Sequence, residues 1–204
     1  KGVRGVTSNP TIFDRAISGS SDYDRALDRV ASEDRSVDEV YEALAVEDIG
    51  HAADLLRPLY DETEGGDGYV SLEVDPKLAY DANGTIAEAR RLFSILDRPN
   101  ILIKVPATPA GISAIEALIG EGINVNATLI FSVANYEAVA NAYIAGLEKL
   151  VAAAGDLRKV ASVASFFVSR IDTAVDRSLA QIGETELQGK IAVASAKLAY
   201  DRFQ

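Results

Sequence analysis

The sequence predicts an α/β protein, a TIM (β/α)8 barrel that is incomplete as it stands, on three observations. Five strand-like runs alternate with helix-like segments over 204 residues, which is the signature of parallel βαβ units. Three of the runs read polar on one face and apolar on the other, whereas strands of an open sheet covered on both sides read as nearly continuous apolar stretches. The polar positions gather toward the C-terminal ends of the strands, where a barrel builds its active site. Hydrophobic residues make up 48% of the chain and no Gly-, Ser- or Pro-rich linker divides it, so one partial barrel domain is expected over residues 1–204.

The elements follow in order. The first strand is expected over Gly2–Thr7, with Thr7 and Asn9 on the face opposite Val6. Asn9 before Pro10 is a helix N-cap signal. Ser32–Glu42 and Asp61–Asp67 read as solvated acidic faces, and His51 lies in a helical stretch with no evident chemistry. The loop Glu64-Gly65-Gly66-Asp67-Gly68 leads into the second strand, Tyr69–Val74, where Ser71 and Glu73 oppose Val70, Leu72 and Val74. Thr85 and Glu88 stand at capping-box spacing ahead of the stripe Ala89, Leu92, Phe93 and Leu96. The third strand, Ile101–Val105, sets Leu102 and Lys104 against Ile101, Ile103 and Val105. Thr108-Pro109 opens the next helix, whose stripe is Ile112, Ile115, Leu118 and Ile119 and which Gly122 closes. The fourth strand, Asn124–Ile130, sets Asn124, Asn126 and Thr128 against Val125, Ala127 and Leu129; Ser132 caps the long helix after it. A fifth strand is expected over Val160–Ser165. A complete barrel takes about 250 residues. The chain opens without Met on what reads as the end of a strand, so further barrel units are expected outside it.

Composition excludes several kinds of chemistry. The chain has no Cys and one His, so disulfides, thiolate metal sites, a Cys nucleophile and a multi-histidine zinc site are ruled out. The net charge of −11 opposes binding to nucleic acid or an anionic membrane, yet one arginine can still hold a phosphate. No stretch approaches the roughly 20 apolar residues of a membrane span, and no signal peptide is visible. A cytoplasmic enzyme is the expectation.

Lys104 is the first candidate for chemistry. On an otherwise apolar strand it loses hydration, which favours the neutral amine that attacks a carbonyl; the alternative is a lysine that snorkels to water. Glu73 can relay the protons that Schiff-base formation requires, or form a structural ion pair with Lys104 or an arginine. Asn126 and Thr128 share a face on which an amide and a hydroxyl can bind sugar hydroxyls, or bond to each other. Arg170, at the fifth strand's C-terminal end near a helix start, can take a phosphate, or pair at the surface with Asp172 or Glu184.

The motifs GVTSNPTIF, SLEVDP, ILIKVPAT, GINVNATLIFS and SFFVSRID occur in this order and resemble the transaldolases, most closely the long actinobacterial type, over essentially the whole chain. The resemblance implies a class I aldolase-type barrel that transfers dihydroxyacetone from sedoheptulose 7-phosphate to glyceraldehyde 3-phosphate, in the non-oxidative pentose phosphate pathway. It implies Lys104 as Schiff-base lysine and Glu73 as proton relay through a water shared with Thr128. Asn9, Thr7, Asn126 and Ser165 would contact the three-carbon unit, Phe167 would pack beside the imine, and Arg170 would hold the phosphate. No metal or organic cofactor is implied, because the protonated imine is the electron sink. The family's cleavage base, an aspartate, is expected on a strand before TSNP. Sugar phosphates are the expected partners, and the oligomeric state stays open, with a homodimer one possibility. Two alternatives stand beside the transferase: a fructose 6-phosphate aldolase of the same family, and a non-catalytic sugar-phosphate-binding barrel fragment.

Overall fold

The computed structural model describes residues 2–31 and 35–204; Lys1 and Ser32–Asp34, part of the expected acidic run, lie outside the described residues. The chain forms two compact units: residues 1–76 with 87–104, and residues 77–86 with 105–204.

In the first unit, β1 (Val6–Thr7), β2 (Val70–Glu73) and β3 (Ile101–Pro106, through Lys104) pair in parallel and in chain order. β1 is shorter than the expected Gly2–Thr7. The ladder bonds Val6 N–H to Tyr69 carbonyl and Ser8 N–H to Ser71 carbonyl hold it. Ahead of Val6 the neighbouring segment turns at Gly68, at φ +83°, just before β2, and the Gly68 N–H reaches the Arg4 carbonyl at 2.9 Å outside the regular ladder. Helix α1 (Pro10–Gly19) begins where Asn9 accepts a hydrogen bond from Ile12 N–H at 2.9 Å. Helix α2 spans Asp24–Ala31. The 26-residue α3 (Val37–Glu62) starts with a reciprocal capping box between Ser36 and Glu39. It buries Leu44, Ala45, Ile49 and Ala53, and the 87–96 part of α4 (Ala82–Leu96) buries Ala89, Leu92 and Leu96. Burial of these aliphatics removes apolar surface from water at about 25 cal/mol per Å².

One polar residue ties this core together. Asn100 is fully buried and its Nδ2 donates to the carbonyls of Ala53, in α3, and Gly68, ahead of β2, at 2.9 and 3.0 Å. Asn100→Ala removes the donor that bridges the two carbonyls and opens a cavity. The expected cost is roughly 2–4 kcal/mol, read as a lowered urea midpoint with an unchanged slope. A loss below about 1 kcal/mol would show that water takes over both acceptors.

In the second unit, β4 (Val125–Ile130) and β5 (Ser162–Phe166) pair in parallel, and Ala107, just past β3, donates its N–H to the Thr128 carbonyl at 2.8 Å. The expected cap at Thr85 is displaced. α4 starts at Ala82, and Asp81 Oδ1 accepts from Gly84 N–H at 2.9 Å, so Asp81 is the cap. Thr85 is instead buried inside the helix, its hydroxyl bonded to the Leu78 carbonyl. A short Asp side chain caps as well as Thr does, and the residue nearer the loop takes the place. Helix α5 (Pro109–Gly120) is capped by Thr108 and α6 (Val133–Ala152) by Ser132, both as expected. The two pack backbone to backbone. A Cβ on Gly146 would stand 2.7 Å from Ile119 Cβ and 2.8 Å from the Glu116 carbonyl. Helices α7 (Ser169–Ile182) and α8 (Ile191–Phe203) follow β5.

Each unit thus has parallel strands in chain order joined by helices, which is the incomplete (β/α)8 barrel architecture the sequence predicts, with five of eight strands among the described residues. The strands also differ from expectation in burial, and β5 starts two residues later than the expected Val160–Ser165 and ends one later. Ser71, Lys104, Asn124, Asn126 and Thr128 are as buried as their apolar neighbours, so the polar face is a packed interior and its polar groups need partners.

Candidate active site

Parallel register places the chemistry of the first unit. β2 pairs with β3 so that Ser71 faces Leu102 and Glu73 faces Lys104. Cross-strand partners project to the same side of a sheet, so the carboxylate and the amine meet at the strands' C-terminal ends. Lys104 Nζ lies 3.3 Å from Glu73 Oε2, with the side chains 8% and 14% exposed. Nζ also donates to the main-chain carbonyl of Ser8 at 3.2 Å, just beyond β1. Lys104 therefore does not snorkel to water. A buried ion pair recovers little more than its own desolvation and is a poor source of stability. Its value lies in placing a base beside an amine.

Ser8 is itself held. It is 4% exposed; its Oγ donates to the Ser71 carbonyl at 2.8 Å, and its N–H reaches the same oxygen at 3.2 Å. Thr7 pairs with Ser71 through the backbone and is exposed. Asn9 spends its side-chain oxygen on the α1 cap, so its capping reading is realised. Tyr41, on α3, stands edge-on to Phe13 of α1 with ring centroids 6.0 Å apart. Burial first, and then the carboxylates of Glu73 and Asp14, push its phenol above the ordinary tyrosine range, so it keeps its proton at neutral pH. Neither Ser8 nor Tyr41 is among the residues the sequence singles out. Ser8 contributes a main-chain oxygen, which no side-chain pattern reports; Tyr41 stands 32 residues ahead of Glu73 in a helix, with no periodicity linking the two.

In the second unit, Ser165 Oγ donates to Asn126 Oδ1 at 2.8 Å. Thr128 is 1% exposed, and its hydroxyl has no hydrogen-bond partner among the described residues. It lies within a register shift: Ala127 faces Ala164 and Ile130 faces Phe166, and Leu129, beside Thr128, sits at φ +60°. That conformation is costly for a non-glycine residue, and bulges of this kind re-aim side chains near active sites. Arg170, in the first turn of α7, is exposed and lies over the Phe167 ring, its guanidinium carbon 4.8 Å from the centroid. Phe167 in turn touches Phe131 at 5.1 Å. Arg170 makes no ion pair with Asp172 or Glu184 among the described residues; Asp172 accepts from Ala192 N–H instead. A stacked, exposed guanidinium keeps its five donors for an anion. No helix among the described residues is long and apolar enough to cross a membrane.

The family model described as Transaldolase/Fructose-6-phosphate aldolase matches residues 1–204. The chain is 55% identical over 205 residues to a transaldolase of Thiobacillus denitrificans, covering 99% of this chain and 57% of that protein. It is 50% identical over 207 residues to a transaldolase of Parafrankia sp., covering 100% and 56%. It is 52% identical over 204 residues to a transaldolase of Acidothermus cellulolyticus, covering 99% and 55%. The chain thus spans a little over half the length of the curated relatives it matches.

Proposed function

Because the chain belongs to the transaldolase/fructose-6-phosphate aldolase family, we propose that Lys104 forms a Schiff base with a ketose phosphate and passes its dihydroxyacetone unit to an aldose phosphate. The observation that carries this reading is the buried amine of Lys104 within 3.3 Å of the Glu73 carboxylate.

The Nζ lone pair attacks the C2 carbonyl, and the former carbonyl oxygen takes up a proton. Glu73 accepts the proton lost by nitrogen and returns one to the carbinolamine hydroxyl, which leaves as water. The resulting iminium draws the electrons of the C3–C4 bond when a base removes the C4 hydroxyl proton. An aldose phosphate departs and an enamine stays on Lys104. The enamine attacks the aldehyde carbon of the acceptor, and water hydrolyses the new iminium to free the product and the amine. Sedoheptulose 7-phosphate as donor and glyceraldehyde 3-phosphate as acceptor give erythrose 4-phosphate and fructose 6-phosphate.

The remaining roles rest on family membership. Thr128 holds a relay water, a role that its partnerless hydroxyl supports. Asn9, Thr7, Asn126 and Ser165 bind hydroxyls of the three-carbon unit, Phe167 packs beside the imine, and Arg170 takes the phosphate. The cytoplasm is the proposed compartment, since phosphorylated sugars are too charged to cross a bilayer unaided.

The test is borohydride reduction of the full polypeptide in the presence of fructose 6-phosphate, followed by peptide mass mapping. A three-carbon adduct on Lys104 is expected; an adduct on another lysine, or none, overturns the reading. A product assay with and without erythrose 4-phosphate separates transfer from simple aldol cleavage. Arg170→Ala should raise KM for phosphorylated sugars about tenfold or more while leaving free dihydroxyacetone little affected. Equal losses on both substrates would remove the phosphate role.

A further inference from the structure

An amine that must attack along one direction needs its hydrogens held, as well as its carbon stem. We propose that Ser8 is a positioning residue for Lys104: its hydroxyl locks the Ser8 peptide onto Ser71, and the locked carbonyl fixes the orientation of Nζ. The proposal rests on Lys104 being the nucleophile.

A tetrahedral ammonium nitrogen has four directions. One is the bond to Cε. One N–H is donated to the Ser8 carbonyl at 3.2 Å, and the Glu73 carboxylate stands 3.3 Å away as the ion-pair partner. A proton passed to Glu73 leaves a neutral amine whose remaining bond to the Ser8 carbonyl confines the lone pair to the other directions. With a single acceptor the nitrogen would rotate about the Cε bond and sample several directions. The Ser8 carbonyl removes that freedom provided that it does not itself move. β1 is two residues long, so its ladder holds the chain end weakly. The second bond, from Ser8 Oγ to the Ser71 carbonyl at 2.8 Å, supplies the missing restraint. Ser8 and Ser71 are 4% and 2% exposed, so water is poorly placed to stand in for the lost hydroxyl.

The same carbonyl has a second use after water has left. An iminium nitrogen is planar and keeps one N–H, so it can serve a single acceptor. Glu73 must be free to give and take protons. The Ser8 carbonyl, which neither gains nor loses a proton, keeps the N–H and stabilises the cationic imine.

Small displacements of a reacting group cost about 10²-fold in favourable cases, so Ser8→Ala is expected to slow imine formation roughly 10–100-fold with KM for fructose 6-phosphate little changed. The experiment is rapid mixing of the full polypeptide with fructose 6-phosphate, a borohydride quench, and mass quantification of the Lys104 peptide. Ser8→Thr keeps the hydroxyl and should trap within about threefold of wild type. Ser8→Val has the shape of Thr without the hydroxyl and should be as slow as Ser8→Ala. Wild type trapped at Lys104 with all three variants within twofold of it overturns the role of Ser8 alone. No Lys104 adduct in the wild type overturns the nucleophile assignment first. If Ser8→Ala fails to fold by thermal melting, Thr against Val decides, and equal rates for that pair overturn the proposal.

Discussion

Lys104→Ala should lower turnover by about 10⁴-fold or more, because no other step in the cycle proceeds without the covalent intermediate. It should also remove the borohydride-trapped adduct from the peptide holding Ile101–Pro106. The fold should persist. The substitution strands the Glu73 carboxylate, but that side chain is 14% exposed and can reach water, which limits the cost of losing a buried partner. Circular dichroism and a melting curve check this. Lys104→Arg provides the stricter comparison. It keeps the cation and the pairing with Glu73, yet a guanidinium does not give up its proton and does not form the imine. Both variants inactive and both folded is the expected pattern. Substantial turnover by either would end the covalent mechanism.

Glu73→Gln should carry the second-largest effect, a slowing of imine formation by about 10²–10⁴-fold. Glutamine keeps the shape and an acceptor oxygen beside Nζ, so binding and packing change little, while the group that exchanges protons is gone. The loss should appear in single-turnover trapping and should exceed any change in KM. A slowing of less than tenfold would leave Glu73 as a structural counter-charge to Lys104 and move the relay elsewhere.

How far the site was readable from the sequence depended on what kind of group each residue contributes. Lys104 and Glu73 were legible because a side chain on a strand follows a period of two, and a charged group at an apolar position stands out against it. Their facing positions in the ladder, Glu73 opposite Lys104, then follow from parallel pairing. Asn9 and Thr108 were legible as caps because a short polar side chain before proline has few other uses. Thr85 was misread because Asp81, four residues earlier, offers the same chemistry nearer the loop. Ser8 lay hidden because its contribution to Lys104 is a peptide oxygen, and every residue has one. The bulge at Leu129 was equally invisible: the left-handed turn falls on leucine, a residue that gives no hint of it.

The alignment of β2 with β3 has a consequence for how this protein can vary. Side chains change sides of a strand with every residue, so sliding β3 by a single position along β2 would turn Lys104 outward and bring Ile103 or Val105 opposite Glu73. Ladder hydrogen bonds could re-form after such a slip, but Lys104 would enter the buried layer that Ile103 and Val105 now fill, an unpaired charge among apolar side chains. Deletions or insertions in the connection from Glu73 to Ile101 are therefore safe only where the loops or α4 absorb them before the strand begins.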